Sequence, residues 1–311
     1  MKHSQFALFC THRGDLERIS SNLRWTLNVF DLAHPNWQGT DSRCGNRLFC
    51  ICRGTGTLRN VRNGKRIEFR PGYAYFIPRN LLVELCFPPE LVFYALEFQV
   101  ELLPGLDLFR ANDSVLEYKP EPEMFEKLGH IYNGEVTWRN LFEFEELRQQ
   151  IILGILDKVE PCISCADMHQ GLIKYARLID YIRNEASAQT TMEELAKVQH
   201  CSYDKLSRIF RSDFNMTLKE MLDAELSARA KMLLTSTDFS VKEIAYRLGF
   251  STEYNFSRFF KRLNLCSPRS YRLRRLFAGP FPIRQKNAAA GVRFHRAGKP
   301  DSSMNHSSES S

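Results

Sequence analysis

The sequence predicts a two-domain fold: an N-terminal all-β barrel with flanking helices, then an all-α domain carrying two helix-turn-helix motifs. Three observations predict it. Short strands punctuated by turns run from Arg47 to Gln99, helical periodicity runs unbroken from 172 to 276, and a repeat of about fifty residues lies inside that helical part. A chain of 311 residues is long for a single core, and 43% hydrophobic with 25% charged residues is an ordinary globular composition.

The β region, within an expected first domain of 1–120, is marked element by element. Arg47–Cys52 is followed by Gly54-Thr-Gly56, and Leu58–Val61 by the hairpin signal Asn63-Gly64. Ile67–Phe69 leads into Pro71-Gly72, and Tyr73–Ile77 closes at Pro78. Leu81–Phe87 stops at Pro88-Pro89, and Leu91–Val100 stops before Pro104-Gly105. Strands this short and this regularly separated indicate a small sandwich or barrel.

A helical linker is expected over 121–171. Glu123–Tyr132 can form one helix. Trp138–Val159 reads as a long amphipathic helix with Leu141, Phe144, Leu147, Ile151, Ile152, Ile155, Leu156 and Val159 on one stripe, ended by Pro161. That stripe is expected to pack against its counterpart in a homodimer through 138–159, the alternative being a core role within the monomer. Cys162, Cys165 and His169 offer three zinc ligands where a structural site wants four, so no metal and no other cofactor is expected. The tail 277–311 turns to Gly, Ala and Ser and is expected to be disordered.

Charge is divided along the chain. Residues 1–171 hold 19 Lys/Arg and 22 Asp/Glu, whereas 172–276 hold 19 and 12, and 277–311 hold 5 and 2. A basic segment after a slightly acidic one is expected where only the C-terminal part meets nucleic acid. No apolar run approaches the roughly 20 residues that span a bilayer, and the patch Phe6–Cys10 is too short for a signal peptide. A cytoplasmic location follows as an expectation, with the nine irregularly spaced cysteines as reduced thiols.

Within 172–276 the repeat carries the function. Thr191-Met-Glu-Glu194-Leu-Ala196 is matched by Ser240-Val-Lys-Glu243-Ile-Ala245, each a capping box before an apolar pair. Each is followed by a second helix, Ser202–Phe210 and Thr252–Phe260, with one extra residue in the second turn near Gly249-Phe250. A short capped helix, a tight turn and a helix with polar early positions is the helix-turn-helix plan, whose second helix enters the major groove. With Leu206, Ile209 and Phe210, and then Phe256, Phe259 and Phe260, facing the core, base contacts fall to Tyr203, Asp204, Ser207, Arg208, Glu253, Tyr254, Asn255 and Arg258. Phosphate contacts fall to Lys205, Arg211, Lys261, Arg262 and Arg269. Arg can read guanine, Asn adenine, and a carboxylate cytosine. Alternatives stand beside these roles. Arg208 and Arg258 could hold the motif together by internal ion pairs, Asp204 and Glu253 could serve the helix dipole, and the helix pairs could form an interaction module without DNA affinity.

At Ile244–Lys261, Ser267-Pro268, Tyr271-Arg272, Leu206–Phe210 and Ala230–Leu234 the sequence resembles the AraC/XylS family of transcription regulators. The resemblance covers about 172–275. It implies two helix-turn-helix subdomains on a linker helix, here Thr217–Leu234, seated in adjacent major grooves of double-stranded DNA. Asn215 and Asn264 stand where the family usually has Gly, and Leu226 where an Arg is frequent. Gly54-Thr-Gly56 with Arg70–Pro78 resembles the family's cupin-like sensor domain. That implies an effector-responsive regulator, expected to be an activator working with RNA polymerase, with a small effector such as a sugar inside the barrel. Trp37, Arg47, Glu84 and Glu97 are the candidate effector-binding residues, with barrel-rim roles as the alternative. No His lies between Arg47 and Gln99, which disfavours a metal-dependent cupin enzyme fused to a DNA-binding module. A DNA-alkyl-repair enzyme would need an activated Cys that the sequence does not offer. The protein is therefore expected not to be an enzyme.

Overall fold

The computed structural model describes residues 17–33 and 36–277. The Phe6–Cys10 patch and the tail expected to be disordered lie outside them, Phe277 excepted. A short helix α1 over 17–22 leads into ten strands: β1 (Arg24–Ala33), β2 (Trp37–Asp41), β3 (Asn46–Arg53), β4 (Thr57–Asn60), β5 (Arg66–Glu68), β6 (Ala74–Ile77), β7 (Val83–Phe87), β8 (Val92–Leu103), β9 (Leu106–Asp107) and β10 (Leu116–Tyr118). They form two antiparallel sheets, one ordered β1-β8-β3-β6-β10 with β9 on β8, the other β2-β7-β4-β5.

Alternation along the strands assigns the faces. In β3, Leu48 and Cys50 face one core while Phe49 and Ile51 face another, so the strand is buried on both sides. This explains its continuous apolar run. The space between the sheets is filled by aromatic rings, with Phe49 and Phe93 at 4.9 Å and Phe87 and Phe93 at 5.2 Å between centroids.

The other face of the larger sheet is covered by helices α2 (Pro122–Asn133) and α3 (Trp138–Leu156). Here the stripe expected to pair two copies does something else. Phe144, Leu147, Ile151 and Ile155 are buried against Phe30, Leu96 and Phe98, with Ile152, Leu156 and Val159 beside them. A sheet face too apolar to meet water needs a cover, and α3 supplies it within the monomer. Its outer side instead exposes Trp138 (79%) and Phe142 (69%).

Seven helices follow: α4 (Cys165–Lys174), α5 (Ala176–Asn184), α6 (Met192–Val198), α7 (Tyr203–Phe214), α8 (Leu218–Ser236), α9 (Val241–Arg247) and α10 (Glu253–Asn264), with α11 (Pro268–Phe277) closing the described chain. Helix α4 runs across the boundary expected at 171/172, and both Met168 and Leu172 belong to the core of the first helical subdomain. That core also takes in Leu102, Leu103 and Leu106 from the β8–β9 hairpin. A Cβ added at Gly105, between those leucines, would lie 3.0 Å from Ala224 Cβ on α8. The two domains therefore share buried apolar surface.

Candidate nucleic-acid interface

Each helix-turn-helix motif is built by its own sequence, beginning with the cap of its first helix. Thr191 accepts a hydrogen bond from Glu194 N–H at 3.2 Å and Glu194 returns to Thr191 N–H at 3.0 Å. Ser240 and Glu243 do the same at 3.2 and 2.7 Å. A third box, Thr217 with Glu220, opens α8; the pattern Thr217-x-x-Glu220 was a readable signal for it. These boxes satisfy N–H groups that a helix start otherwise leaves unpaired.

The repeat offset resolves at single residues. Cys201 N–H donates to Ala196 O and Phe250 N–H to Ala245 O, a shared turn geometry at an offset of 49. Ser251 is then the extra residue. Its hydroxyl accepts from Asn255 Nδ2 at 3.0 Å, and Thr252 caps Asn255 N–H at 3.1 Å, whereas Ser202 makes no side-chain cap bond.

The motif cores come together as the repeat implies. Leu206 and Phe210 are buried in α7, and Phe256 and Phe260 in α10; Ile209 and Phe259 are only partly buried. On the outward side Tyr203, Asp204, Lys205, Arg208 and Arg211 are exposed and Ser207 is half-buried. On α10, Tyr254 (67%), Asn255, Arg258 and Lys261 are exposed, and the Arg258 guanidinium lies 5.7 Å from the Tyr254 ring centroid.

Three residues assigned to DNA are held in ion pairs within the protein. Glu253 pairs with Arg269 at 3.3 Å, so a carboxylate assigned to a base and a cation assigned to phosphate hold one another across α10 and α11. Arg262, assigned to phosphate, donates to Asp223 on α8 at 2.9 Å, which ties α10 to the linker helix.

The expected left-handed cap also moves. Asn215 ends α7 with φ 47°, as a residue in a glycine position should. In α10 that conformation falls on Leu265 (φ 57°), while Asn264 remains helical and donates to Ser227 Oγ at 3.0 Å and Phe260 O at 2.9 Å. The physical register is 50 residues at this end, which pairs Asn215 with Leu265.

Helix α8 holds both motifs. Its Leu218, Met221, Leu222 and Leu226 enter the first core, and Ala230 and Leu234 the second. Leu226, where the family favours Arg, is thus a core residue. The polar contact is made from the next turn, where Arg229 donates to Ala186 O at 2.5 Å. Arg272 donates to Leu234 O and Phe239 O, satisfying a carbonyl in the last turn of α8.

The four residues assigned to an effector do not line one cavity. Arg47 (2% exposed) donates to Asp41 at 2.7 Å and to the carbonyls of Pro78 and Leu81, and burial pushes its pKa down against the pull of Asp41. A buried guanidinium so engaged serves as a strut. Glu97, its cross-strand partner, pairs with Arg43 at 2.9 Å. Glu84 alternates outward on β7 and pairs with Arg59, and Trp37 packs on Phe87. The inter-sheet space they were expected to border is filled by phenylalanines. Among the described residues no group of three or more His, Cys, Asp or Glu could hold a metal ion.

Two recognition helices fixed on one linker helix, each offering an exposed arginine at equivalent positions, define a double helix-turn-helix DNA-binding domain. Residues 195–274 match the model of a family described as a helix-turn-helix domain. The regulator YtdP of Bacillus subtilis is 32% identical over 168 residues, covering 54% of this chain and 20% of that protein. The transcriptional activator RhaR of Mannheimia succiniciproducens is 28% identical over 106 residues, 34% of this chain and 38% of that one. The chain thus spans less than half the length of these curated relatives. The unsaturated fatty acid bound ToxT structure from Vibrio cholerae aligns over 80% of this chain and 95% of its own, at 15% identity and a TM-score of 0.48. Residues 195–274 therefore form a helix-turn-helix domain.

Proposed function

We propose that the protein is a sequence-specific transcription regulator that places α7 and α10 in adjacent major grooves of double-stranded DNA. The observation that carries this is the pair Arg208 and Arg258, exposed at the same position of twin helices locked to one linker. Base choice falls to these arginines with Tyr203, Asp204, Ser207, Tyr254 and Asn255, and Lys205, Arg211 and Lys261 hold phosphate. Selection from a random duplex library tests it. Arg208→Ala and Arg258→Ala should each erase information in a different half of a bipartite motif. Failure of the whole chain and of 165–277 to enrich any motif would refute it.

The protein acts in the cytoplasm as an effector-responsive activator that engages RNA polymerase, and it has no catalytic role. The name of RhaR, an activator, supports that direction. Among the described residues no helix is long and apolar enough to cross a membrane. A homodimer forms through the outer face of α3, where Trp138 and Phe142 lie one turn apart and exposed. Phe142→Asp should convert a sedimenting dimer to monomer, and a wild-type monomer at micromolar concentration would remove the dimer.

A further inference from the structure

A cavity of about 790 Å³ lies between the two domains, walled by the β8–β9 hairpin and residues 79–80 on one side and by α8, α10 and α11 on the other. This volume suits a small molecule. Most cations around it are engaged. Arg110 pairs with Glu220 at 3.5 Å, Arg262 with Asp223, and Arg272 with backbone carbonyls.

Arg79 differs. Its backbone N–H donates to Asn46 Oδ1, but its half-buried guanidinium makes no hydrogen bond or close ion pair among the described residues. Its charge acts on Glu101 and Cys44, and the charge of Lys231, from α8, acts on the same two groups. Cations from the two domains therefore face one cleft. Burial raises the Glu101 pKa, which works against its neutralising Arg79. Around them the wall offers Thr26, Asn80, Gln99 and Ser227, all hydrogen-bonding side chains.

We propose that this cleft binds a compact polar anion, a hydroxylated carboxylate or a phosphate ester, held between Arg79 of the N-terminal domain and Lys231 of the linker helix. The inference rests on the effector-responsive reading above and moves the effector site from the inter-sheet space to the domain junction. A ligand there touches the hairpin, α8 and the α10–α11 corner together. It would favour whichever placement of the second motif closes the cleft, a differential contact of the kind a population shift needs.

The test is calorimetric titration of the full chain with citrate and with inorganic phosphate, beside glucose and oleate. At least one of the two anions should bind. Binding should weaken about tenfold in Arg79→Ala and in Lys231→Ala, as loss of a charge-assisted hydrogen bond does. It should be largely kept in Arg79→Lys and unchanged in Arg59→Ala, a surface cation far from the cleft. Neither anion binding at about 10 mM, or equal weakening in Arg59→Ala, would overturn the site. Preferential binding of oleate or glucose would overturn the ligand class. No DNA is used, so a selected DNA motif without anion binding removes only the cleft. Anion binding without a motif keeps the cleft and removes the regulator.

Discussion

The two helix-turn-helix subdomains share a plan and differ in what stabilises them. The first has a turn carrying His200 at φ 53° and a recognition helix whose Ser202 makes no cap bond. Its core, however, reaches beyond itself to Leu102, Leu103 and Leu106 of the N-terminal domain. The second has Gly249 at φ 82° in its turn, a bonded Thr252 cap, and a smaller core closed by Phe250, Phe256, Phe260 and Tyr271. One motif borrows burial from a neighbour and tolerates poor local chemistry. The other stands on its own turns and caps. The N-terminal domain thus packs directly on the first motif, and it meets the second across the cleft lined by α8, α10 and α11.

The largest effect should come from cutting that loan. Leu106→Ala removes a fully buried side chain at the junction and should cost about 2–5 kcal/mol, felt in the first subdomain. Urea unfolding followed by hydrogen exchange should show α7 losing protection while α10 keeps it. Equal loss in both helices would mean the two motifs unfold as one unit, and the contrast would fail.

Next come the local devices. Leu265 holds a left-handed conformation that costs a non-glycine residue about 1 kcal/mol, so Leu265→Gly should raise the stability of the second subdomain by up to that amount. Asn215→Gly should gain less, because Asn already tolerates this conformation. Equal gains in thermal melts would show that the two ends are equally strained. Thr252→Ala should cost about 1 kcal/mol and Ser202→Ala much less, since only Thr252 makes its cap bond.

The smallest effect concerns Glu225, buried on α8 with Arg24 of the N-terminal domain at 3.9 Å. Burial raises its pKa, although Arg24, Arg183 and Arg229 pull the other way. An acid with a raised folded pKa favours folding most below its unfolded value, near 4.5, and loses that contribution as pH rises through the folded value. Glu225→Gln should therefore be neutral or slightly stabilising at pH 7 and indistinguishable from wild type below pH 4.5. A variant less stable at pH 7 would show the Arg24 pair to outweigh burial.

Much of this was legible in the chain. The capping boxes at Thr191 and Ser240 and the exposed positions of Arg208 and Arg258 follow from spacing, because a helix fixes which side chains share a face. The stripe on α3 was visible too, but its partner was not. An apolar stripe states that something covers it, and whether that is a sheet or a second chain depends on surfaces far away in sequence. The misplaced glycine equivalent at Asn264 has a simpler cause. One residue inserted at Ser251 shifts the later register, and Asn resembles a left-handed cap more than Leu does.

The two-domain order, the paired motifs and the exposed positions of their second helices were readable along the chain. These depend on local hydrogen bonds and on periodicity, which short stretches carry complete. Long-range packing made Arg47 a strut, filled the space between the sheets with phenylalanines, and brought Leu102, Leu103 and Leu106 into the first motif's core. It alone set Arg79 and Lys231 across one cleft. Burial and charge are properties of a place rather than of a residue, and that place exists only once distant segments have packed.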